Sequence, residues 1–336
     1  MRTLLECFLF FLVWINLVVH GNCWGVVETP AQQQATPIWF HPSSSTTTTA
    51  KKNSASTVHR TNDNLSHASS ASTSSCVVFL HGRLEAEPGD DAPFPRPAVL
   101  YRDFCHGLAH VLQQPVLMVE YHHLLASTTR FLGREPRSWE LGPLSRSIFR
   151  TIVHELSGNN GNSHNDDSAT NDCATVVPFS NMILVTFSMG AAMGLKFLHH
   201  APTVLPPGIK ISHVVLVEPV WRCWLSLVVR TPSTLWTSDD DDSNNDAPAV
   251  WALWGTHDSE TLTDSGRNVA AALRPLLPHV VTHSIPGANH WYILNHDIAF
   301  ARTGLPDNKN GLSTDILQRK ALQLIADACL DQDGQQ

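Results

Sequence analysis

A series of short, continuous apolar runs constrains the fold of this chain more than any other sequence feature. The runs occupy residues 76–80, 115–121, 182–187, 213–218, 249–255 and 280–285. Such runs are typical of strands that are buried on both faces of a parallel sheet. Amphipathic helical patterns lie between several of them, and another closes the chain at 314–330. Strands that alternate with helices predict an open α/β sheet with right-handed crossovers.

The N-terminus carries the pattern of a targeting segment. Arg2 precedes an apolar stretch at residues 7–19, and small residues such as Gly21 follow it. The stretch is short for a bilayer span and fits the hydrophobic region of a signal peptide. We expect residues 1–21 to be a signal peptide or, alternatively, an uncleaved signal anchor that attaches the protein to a membrane. In either case we expect the rest of the chain to be secreted or lumenal.

The composition of the remaining chain indicates a linker followed by a folded domain. Residues 22–75 are rich in Ser and Thr and poor in apolar side chains, so we expect a low-complexity linker there. The folded domain is predicted to span residues 76–330, followed by a short tail at 331–336. Several cysteines could form disulfides in an oxidising compartment. Cys76 and Cys105 lie within apolar patterns and are predicted to be core thiols instead.

Charge and residue spacing exclude several functional classes. The net charge is -8 and no basic block is present, which argues against nucleic-acid binding. The acidic run at 238–246 lacks the spacing of a calcium loop and is interpreted as a solvated loop. No C-x-x-C pair occurs, and the adjacent pairs His122-His123 and His199-His200 point their side chains in different directions. No metal site is therefore expected.

Candidate reactive residues follow the ends of separate predicted strands, in the order serine, aspartate, histidine. They are Ser188, Asp258 and His290. In open α/β sheets, active sites lie at the carboxyl ends of the strands. A histidine can take the proton of an attacking serine, and a buried carboxylate fixes the tautomer of that histidine. The pattern therefore predicts a catalytic triad with Ser188 as nucleophile, His290 as base and Asp258 as acid.

Alternatives remain for each member of this triad. Ser188 alone could cap a buried helix. Glu218, at the end of the preceding strand, is a possible alternative acid, or else a carboxylate that faces the loop at the start of a cap. The other candidate bases are His257 and His296, whereas His283 is expected to lie within a strand.

An acyl-transfer site also needs backbone donors for a developing oxyanion. The N–H of Met189, at a helix N-terminus, is one candidate. The N–H of Arg83, in the loop that follows His81 and Gly82, is the other. Glycine at position 82 would let the backbone turn close to the substrate.

The segments "VVFLHG", "ILVTFSMGAAMG", "WGTHD" and "PGANHW" resemble those of the α/β-hydrolase superfamily, across about residues 76–330. The resemblance implies a doubly wound, mostly parallel sheet of about six to eight strands, with a short cap insertion at 219–248 and hydrolysis through an acyl-enzyme without a cofactor. The family's first strands have no obvious counterpart here, although residues 25–40 could supply an edge strand. The elbow "TFSMG" departs from G-x-S-x-G because Thr186 replaces glycine.

The predicted cap gives an indication of the substrate. Its aromatic residues include Trp221 and Trp224, which favour an apolar acyl or alcohol group, unless the cap is an amphipathic helix packed on the body. We expect a carboxylesterase or lipase-like enzyme that acts on moderately hydrophobic small-molecule or lipid esters. The alternatives are a thioesterase, amidase or C–C bond hydrolase with the same triad, or a non-catalytic binding protein of the same fold.

Overall fold

The computed structural model describes residues 34–42, 75–82, 96–132, 142–157, 179–219, 248–257, 271, 280–295 and 313–330. The strands in these ranges are β1 (Thr36–Phe40), β2 (Ser75–Leu80), β3 (Val116–Glu120), β4 (Asn181–Phe187), β5 (Lys210–Val217), β6 (Ala249–Gly255) and β7 (Val280–Ile285). The helices are α1 (Pro97–Leu100), α2 (Arg102–Leu112), α3 (His122–Leu132), α4 (Gly142–Leu156), α5 (Gly190–Val204) and α6 (Thr314–Leu330). The leader, most of the predicted cap and the tail lie outside the described residues.

The strands form one seven-stranded sheet in the order β1-β3-β2-β4-β5-β6-β7. Only β1 is antiparallel to its neighbour, and every other pair in the described sheet is parallel. The predicted fold class, a doubly wound and mostly parallel α/β sheet, is confirmed. Because β2 and β4 to β7 run in the same direction, their carboxyl ends meet at one edge of the sheet.

Strand β1 lies within residues 22–75, where the composition predicts a linker. It pairs with β3 from Thr36 opposite Glu120 to Phe40 opposite Val116, and the Phe40 side chain is buried. The linker prediction is wrong for this segment because the apolar run at 38–40 can pack on the sheet. The suggestion that residues 25–40 supply an edge strand agrees with β1. The Ser- and Thr-rich residues 43–74 lie outside the described part of the chain.

Side chains of the buried strands alternate between two cores, one on each face of the sheet. Along β4, Met182 and Leu184 enter one core, while Val185 and Phe187 enter the other. This alternation follows from the period of two residues in a strand. A strand that is covered on both faces therefore appears in the sequence as a continuous apolar run.

Helices cover both faces. Helices α4 and α5 pack on one core, and α2 and α6 pack on the other. Helix α2 approaches α6 closely at Gly107, where a Cβ would clash with the side chain of Leu322. None of the helices in the described residues is long and apolar enough to cross a membrane.

The described cysteines are free thiols, namely Cys76, Cys105 and Cys329. Cys76 and Cys105 are completely buried, which confirms their prediction as core thiols. Burial raises the pKa of the Cys76 thiol to about 12. The thiol therefore stays protonated and unreactive in the folded protein.

Candidate active site

Ser188 occupies a sharp turn between β4 and α5. Its φ is +52°, in the left-handed region that a residue with a side chain enters at a cost of about 1–2 kcal/mol. The Ser188 N–H donates to the carbonyl oxygen of Val217, at 2.9 Å. This bond extends the pairing of β4 with β5 by one residue. The nucleophile candidate is thus held by the sheet while its hydroxyl group projects beyond the strand end.

Two glycines allow the chain to pack tightly around this turn. A Cβ at Gly190, the first residue of α5, would clash with the carbonyl oxygen of Leu80 at the end of β2. A Cβ at Gly82 would lie 2.9 Å from the Cβ of Ser188. The segment that follows β2 therefore lies directly against the serine.

A third glycine explains how the turn accommodates Thr186. The Thr186 side chain is completely buried, and its Cγ2 methyl occupies the space that a side chain at position 194 would need. Its hydroxyl donates to the carbonyl oxygen of Val215, at 3.4 Å. Because Gly194 has no Cβ, a β-branched residue fits two positions before the serine while Ser188 keeps its positive φ.

His290 faces the serine. Its Nε2 lies 3.0 Å from Ser188 Oγ, and both side chains are buried. The imidazole packs between two aromatic rings, with centroid distances of 5.1 Å to Phe187 and 4.8 Å to Trp291. The Trp291 ring stands nearly perpendicular to it, at 86°. These ring contacts fix the plane of the His290 imidazole. The predicted proximity of Ser188 and His290 is present in the structure.

The loop that carries His290 is tied to the loop after β6. The Gly287 N–H donates to Thr256 Oγ1 at 2.9 Å, and the His257 N–H donates to the carbonyl oxygen of Ala288 at 2.9 Å. Gly287 has a φ of +81°, which glycine adopts without strain. The loops after β6 and β7 therefore hold each other in register beside the histidine.

Glu218, the alternative acid, is completely buried at the end of β5. Its φ is +46°, and its carboxylate accepts a hydrogen bond from the Gly255 N–H at the end of β6. The carboxylate of Glu218 therefore contacts the end of the neighbouring strand, β6. A buried charge needs hydrogen-bond donors, and the end of β6 supplies one.

Among the other histidines named above, His283 and His257 contact other groups, and His296 lies outside the described residues. His283 is part of β7 and stacks on Trp251, with a centroid distance of 5.3 Å and an angle of 8°. The exposed His257 has its Nδ1 3.2 Å from Thr256 Oγ1.

His81 is a second histidine next to the turn, and the sequence predicts only that it precedes a loop. Its Nδ1 lies 2.7 Å from the Gly82 carbonyl oxygen, and its Nε2 accepts from the Tyr121 N–H at 3.2 Å. Burial lowers the pKa of His81 to about 3. With both ring nitrogens engaged, His81 cannot serve as the base. The sequence feature that could have pointed to His81 is its position, with Gly82, directly after the buried run at 76–80.

The remaining predicted site residues are Asp258, Arg83, Trp221 and Trp224, and they lie outside the described residues. Two of the described ranges end directly before such a residue, at Gly82 before Arg83 and at His257 before Asp258. Met189 is described as the N-cap of α5, and none of the hydrogen bonds among the described residues uses its N–H. The described residues contain no group of His, Cys, Asp and Glu that could hold a metal ion.

No family model matches the chain, and no curated protein matches its sequence. Solved structures resemble it at low identity. One is an uncharacterized protein from Bacillus cereus ATCC 10987, with 10% identity over 84% of this chain and 66% of that one, at a TM-score of 0.44. A second is Thermogutta terrifontis esterase 2, with 13% identity over 89% of both chains and a TM-score of 0.44.

A third is the esterase LipW from Mycobacterium marinum, with 17% identity over 76% of this chain and 73% of that one, at a TM-score of 0.41. The strand order and the strand–turn–helix at Ser188 are features of this chain itself. With them, the chain has the α/β-hydrolase fold.

Proposed function

We propose that this chain is a serine hydrolase that cleaves moderately hydrophobic carboxylic esters through an acyl-enzyme, as carboxylesterases and lipases do. The observation that carries the proposal is the 3.0 Å separation of His290 Nε2 and Ser188 Oγ at a residue with a φ of +52°. Backbone strain of this kind persists only where the surrounding structure enforces it, and it is concentrated at functional sites.

Acylation would start with Ser188. As Oγ attacks the ester carbonyl carbon, the hydroxyl proton passes to Nε2 of His290, and the carbonyl π electrons move onto oxygen. The tetrahedral intermediate then collapses and breaks the bond to the alcohol oxygen. The departing alkoxide takes the proton from Nε2, which leaves an acyl-serine and a neutral histidine.

Deacylation repeats these steps with water. His290 takes a proton from a water molecule, whose oxygen attacks the acyl carbon. The bond to Ser188 Oγ then breaks, and the proton on Nε2 returns to the serine. The products are an acid and an alcohol, and no cofactor is needed for the balance.

The acid of the triad is proposed to be Asp258. It directly follows His257, whose N–H donates to the Ala288 carbonyl oxygen in the histidine loop. A carboxylate at this point could accept a hydrogen bond from the Nδ1–H of His290, which keeps the proton on Nδ1 and leaves Nε2 free to act as base. Glu218 is the alternative acid, because it is a buried carboxylate at the neighbouring strand end.

The oxyanion is proposed to bind the N–H groups of Met189 and Arg83. Met189 stands at the N-terminus of α5, where backbone N–H groups and the helix dipole favour negative charge. Arg83 follows Gly82, which lies against the Cβ of Ser188. Donors placed before the reaction stabilise charge that appears only in the transition state.

The substrate is proposed to be a small-molecule or lipid ester with an apolar group. Trp221 and Trp224 of the predicted cap would contact that group. The alternatives with the same triad are thioesters, amides and C–C bonds. Entry into the secretory pathway through residues 1–21, with cleavage or membrane anchoring, belongs to the same proposal.

The test uses the full chain and a fluorophosphonate probe, with peptide mapping to locate the label. Wild type should be labelled at Ser188 and should hydrolyse p-nitrophenyl esters, and Ser188→Ala should lose both properties. Ser145→Ala is the matched control, because Ser145 is a buried serine in α4, and it should behave as wild type. A parallel panel of ester, thioester and amide substrates assigns the bond. Labelling that persists in folded Ser188→Ala would refute the assignment of Ser188 as nucleophile. A folded wild type that is neither labelled nor active would refute the proposed enzymatic function.

A further inference from the structure

We propose that Glu218 is a positioning residue for His290. Its buried carboxylate fixes the end of β6, and the end of β6 contacts the loop that brings His290 to Ser188. The inference rests on the proposed function and deepens it, because it gives Glu218 a role that differs from that of the triad acid. In this role Glu218 acts through backbone contacts and not on the substrate.

The side chain of Glu218 reaches from the end of β5 to the end of β6. The Glu218 N–H donates to the Leu253 carbonyl oxygen at 2.8 Å, so the pairing of the two strands continues to this residue. Its φ of +46° then takes the backbone out of the strand, in a region that residues with a side chain seldom enter. The completely buried carboxylate accepts a hydrogen bond from the Gly255 N–H. Backbone strain persists only where the surroundings enforce it, and the bond to Gly255 is such a contact.

Gly255 joins the end of β6 to the loop that carries His290. A Cβ at Gly255 would clash with the carbonyl group of Ala288, so the two backbones are in direct contact. Both residues are buried, and such a close approach of two backbones requires a glycine. Ala288 lies two positions before His290 in the chain. The Gly255 peptide that Glu218 holds therefore sets the place at which this loop meets the sheet.

Thr256, which follows Gly255, holds the same loop by two hydrogen bonds. Its N–H donates to the Ile285 carbonyl oxygen at 3.2 Å, and its Oγ1 accepts from the Gly287 N–H at 2.9 Å. Together with the contact at Gly255, these bonds attach the start of the histidine loop to the end of β6. A shift of the end of β6 would therefore move His290 as well.

The end of β5 is a common reference for the serine and the histidine. The Val217 carbonyl oxygen accepts from the Ser188 N–H at 2.9 Å, and the next residue, Glu218, holds the Gly255 N–H. One residue thus locates the nucleophile of the proposed reaction, and its neighbour locates the loop that carries the base. The buried carboxylate therefore has a function that does not require contact with the imidazole.

The proposed reaction depends closely on the position of His290. Its Nε2, 3.0 Å from Ser188 Oγ, takes the serine proton and must then protonate the leaving oxygen. A misplacement of about 1 Å in such a group can cost about 100-fold in rate. The rings of Phe187 and Trp291 restrain the plane of the imidazole. The contacts through Gly255 restrain the backbone that carries it.

Two variants of Glu218 separate a positioning role from an acid role. Glu218→Gln keeps an oxygen that can accept from the Gly255 N–H, whereas Glu218→Ala removes it. We expect kcat/KM of Glu218→Ala on an ethyl ester to fall about 100-fold, and that of Glu218→Gln to stay within about tenfold of wild type. Replacing a triad acid by its amide costs about 10⁴-fold. A loss of that size in Glu218→Gln, or an unchanged Glu218→Ala, would overturn the positioning role.

A comparison of leaving groups excludes a merely structural role. The p-nitrophenolate ion departs without a proton, whereas the alkoxide of an ethyl ester needs the proton that His290 carries. For the p-nitrophenyl ester of the same acid we therefore expect only about a tenfold loss of kcat/KM in Glu218→Ala. All rates are divided by the concentration of active sites titrated with a fluorophosphonate, so unfolded protein does not count. Equal losses on the two esters would contradict a displaced histidine and overturn the inference.

Thr256→Val provides an independent test if Glu218→Ala does not fold, because Thr256 is exposed. Valine keeps the shape but cannot accept from the Gly287 N–H, and we expect about a fivefold loss of kcat/KM on the ethyl ester. Thr203→Val is the matched control, since Thr203 is an exposed threonine whose hydroxyl bonds within α5, and it should behave as wild type. Equal rates of the two valine variants would overturn the positioning role while the wild type still hydrolyses esters. A folded wild type that hydrolyses no ester would instead refute the proposed function.

Discussion

His290 Nε2 lies 3.0 Å from Ser188 Oγ, although the two residues are 102 positions apart in the chain. Ser188 follows β4, and His290 follows β7 at one edge of the sheet. Strands β5 and β6 lie between them, so the pair depends on the whole C-terminal half of the sheet for its alignment. A buried serine and histidine that meet in this way have the arrangement that the proposed function requires of a nucleophile and its base.

Replacing His290 should abolish turnover without unfolding the protein. We expect His290→Gln to lower kcat by about 10⁶-fold, because a serine without its base retains only binding and oxyanion effects. His283→Gln changes a histidine that stacks on Trp251 in β7 and should leave kcat unchanged. Steady-state kinetics on a p-nitrophenyl ester checks both. Equal activity of His290→Gln and His283→Gln would assign the base elsewhere.

Asp258 and Glu218 can be told apart by amide substitutions. If Asp258 is the acid, Asp258→Asn should lower kcat by about 10⁴-fold, because the amide favours the wrong tautomer of His290. Glu218→Gln keeps an oxygen that can accept from the Gly255 N–H and should change kcat much less. The measurement is kcat of each variant on a p-nitrophenyl ester, divided by the concentration of active sites from titration. The reverse order of effects would make Glu218 the acid.

The sequence was sufficient to predict the strand pattern, the sheet class and the placement of Ser188 and His290 at strand ends, because each depends on local periodicity or on position after a strand. Their catalytic roles stay predictions. It was insufficient for the features that depend on contacts between distant segments. Strand β1 gains its stability from pairing with β3, and its flanking Ser- and Thr-rich composition hides it. The buried hydrogen bonds of His81 depend on Tyr121, which lies on another strand end. No local pattern encodes either pairing.

Thr186 and Gly194 should be energetically coupled. In Gly194→Ala the new methyl would meet Thr186 Cγ2, and overpacking of this kind costs about 1–3 kcal/mol of unfolding free energy. Thr186→Ser removes that methyl and keeps the hydroxyl that donates to Val215. In the Thr186→Ser background, Gly194→Ala should therefore be neutral or stabilising. Urea unfolding of the two single variants and the double variant measures the coupling, and strict additivity would contradict the proposed contact.

Deleting β1 should destabilise the sheet. A chain that begins at Ser75 leaves the edge of β3 unpaired and loses the buried Phe40 side chain, which alone contributes roughly 1.5–3 kcal/mol. Exposed strand edges also promote association. A chain that begins at Gln34 keeps β1 and is the matched control. Thermal unfolding and sedimentation should show a lower Tm and aggregation only for the shorter chain, and equal behaviour of the two would rule out a structural role for β1.

Protonation of His81 should make the fold sensitive to acid. Its pKa is lowered from 6.5 to about 3 by burial, so below pH 6.5 the unfolded chain binds a proton that the folded chain does not. Stability is therefore full above pH 6.5 and is lost as the pH falls towards 3, by up to about 1.4 kcal/mol per pH unit. His81→Asn lacks this proton and should show a shallower decline. Urea unfolding between pH 7 and pH 5 compares the slopes, and parallel curves would contradict the burial of a neutral His81.

The hydrogen bond from the Ser188 N–H to Val217 ties the proposed nucleophile to the central sheet. The amide hydrogen of Ser188 should exchange with deuterium only when β4 and β5 separate, at a rate close to that of the most protected core amides. On heating, the turn at Ser188 would then not unfold before the central sheet does. Residual activity and native sheet signal should decay with one time constant, so that the activity assay itself reports how long the central sheet survives.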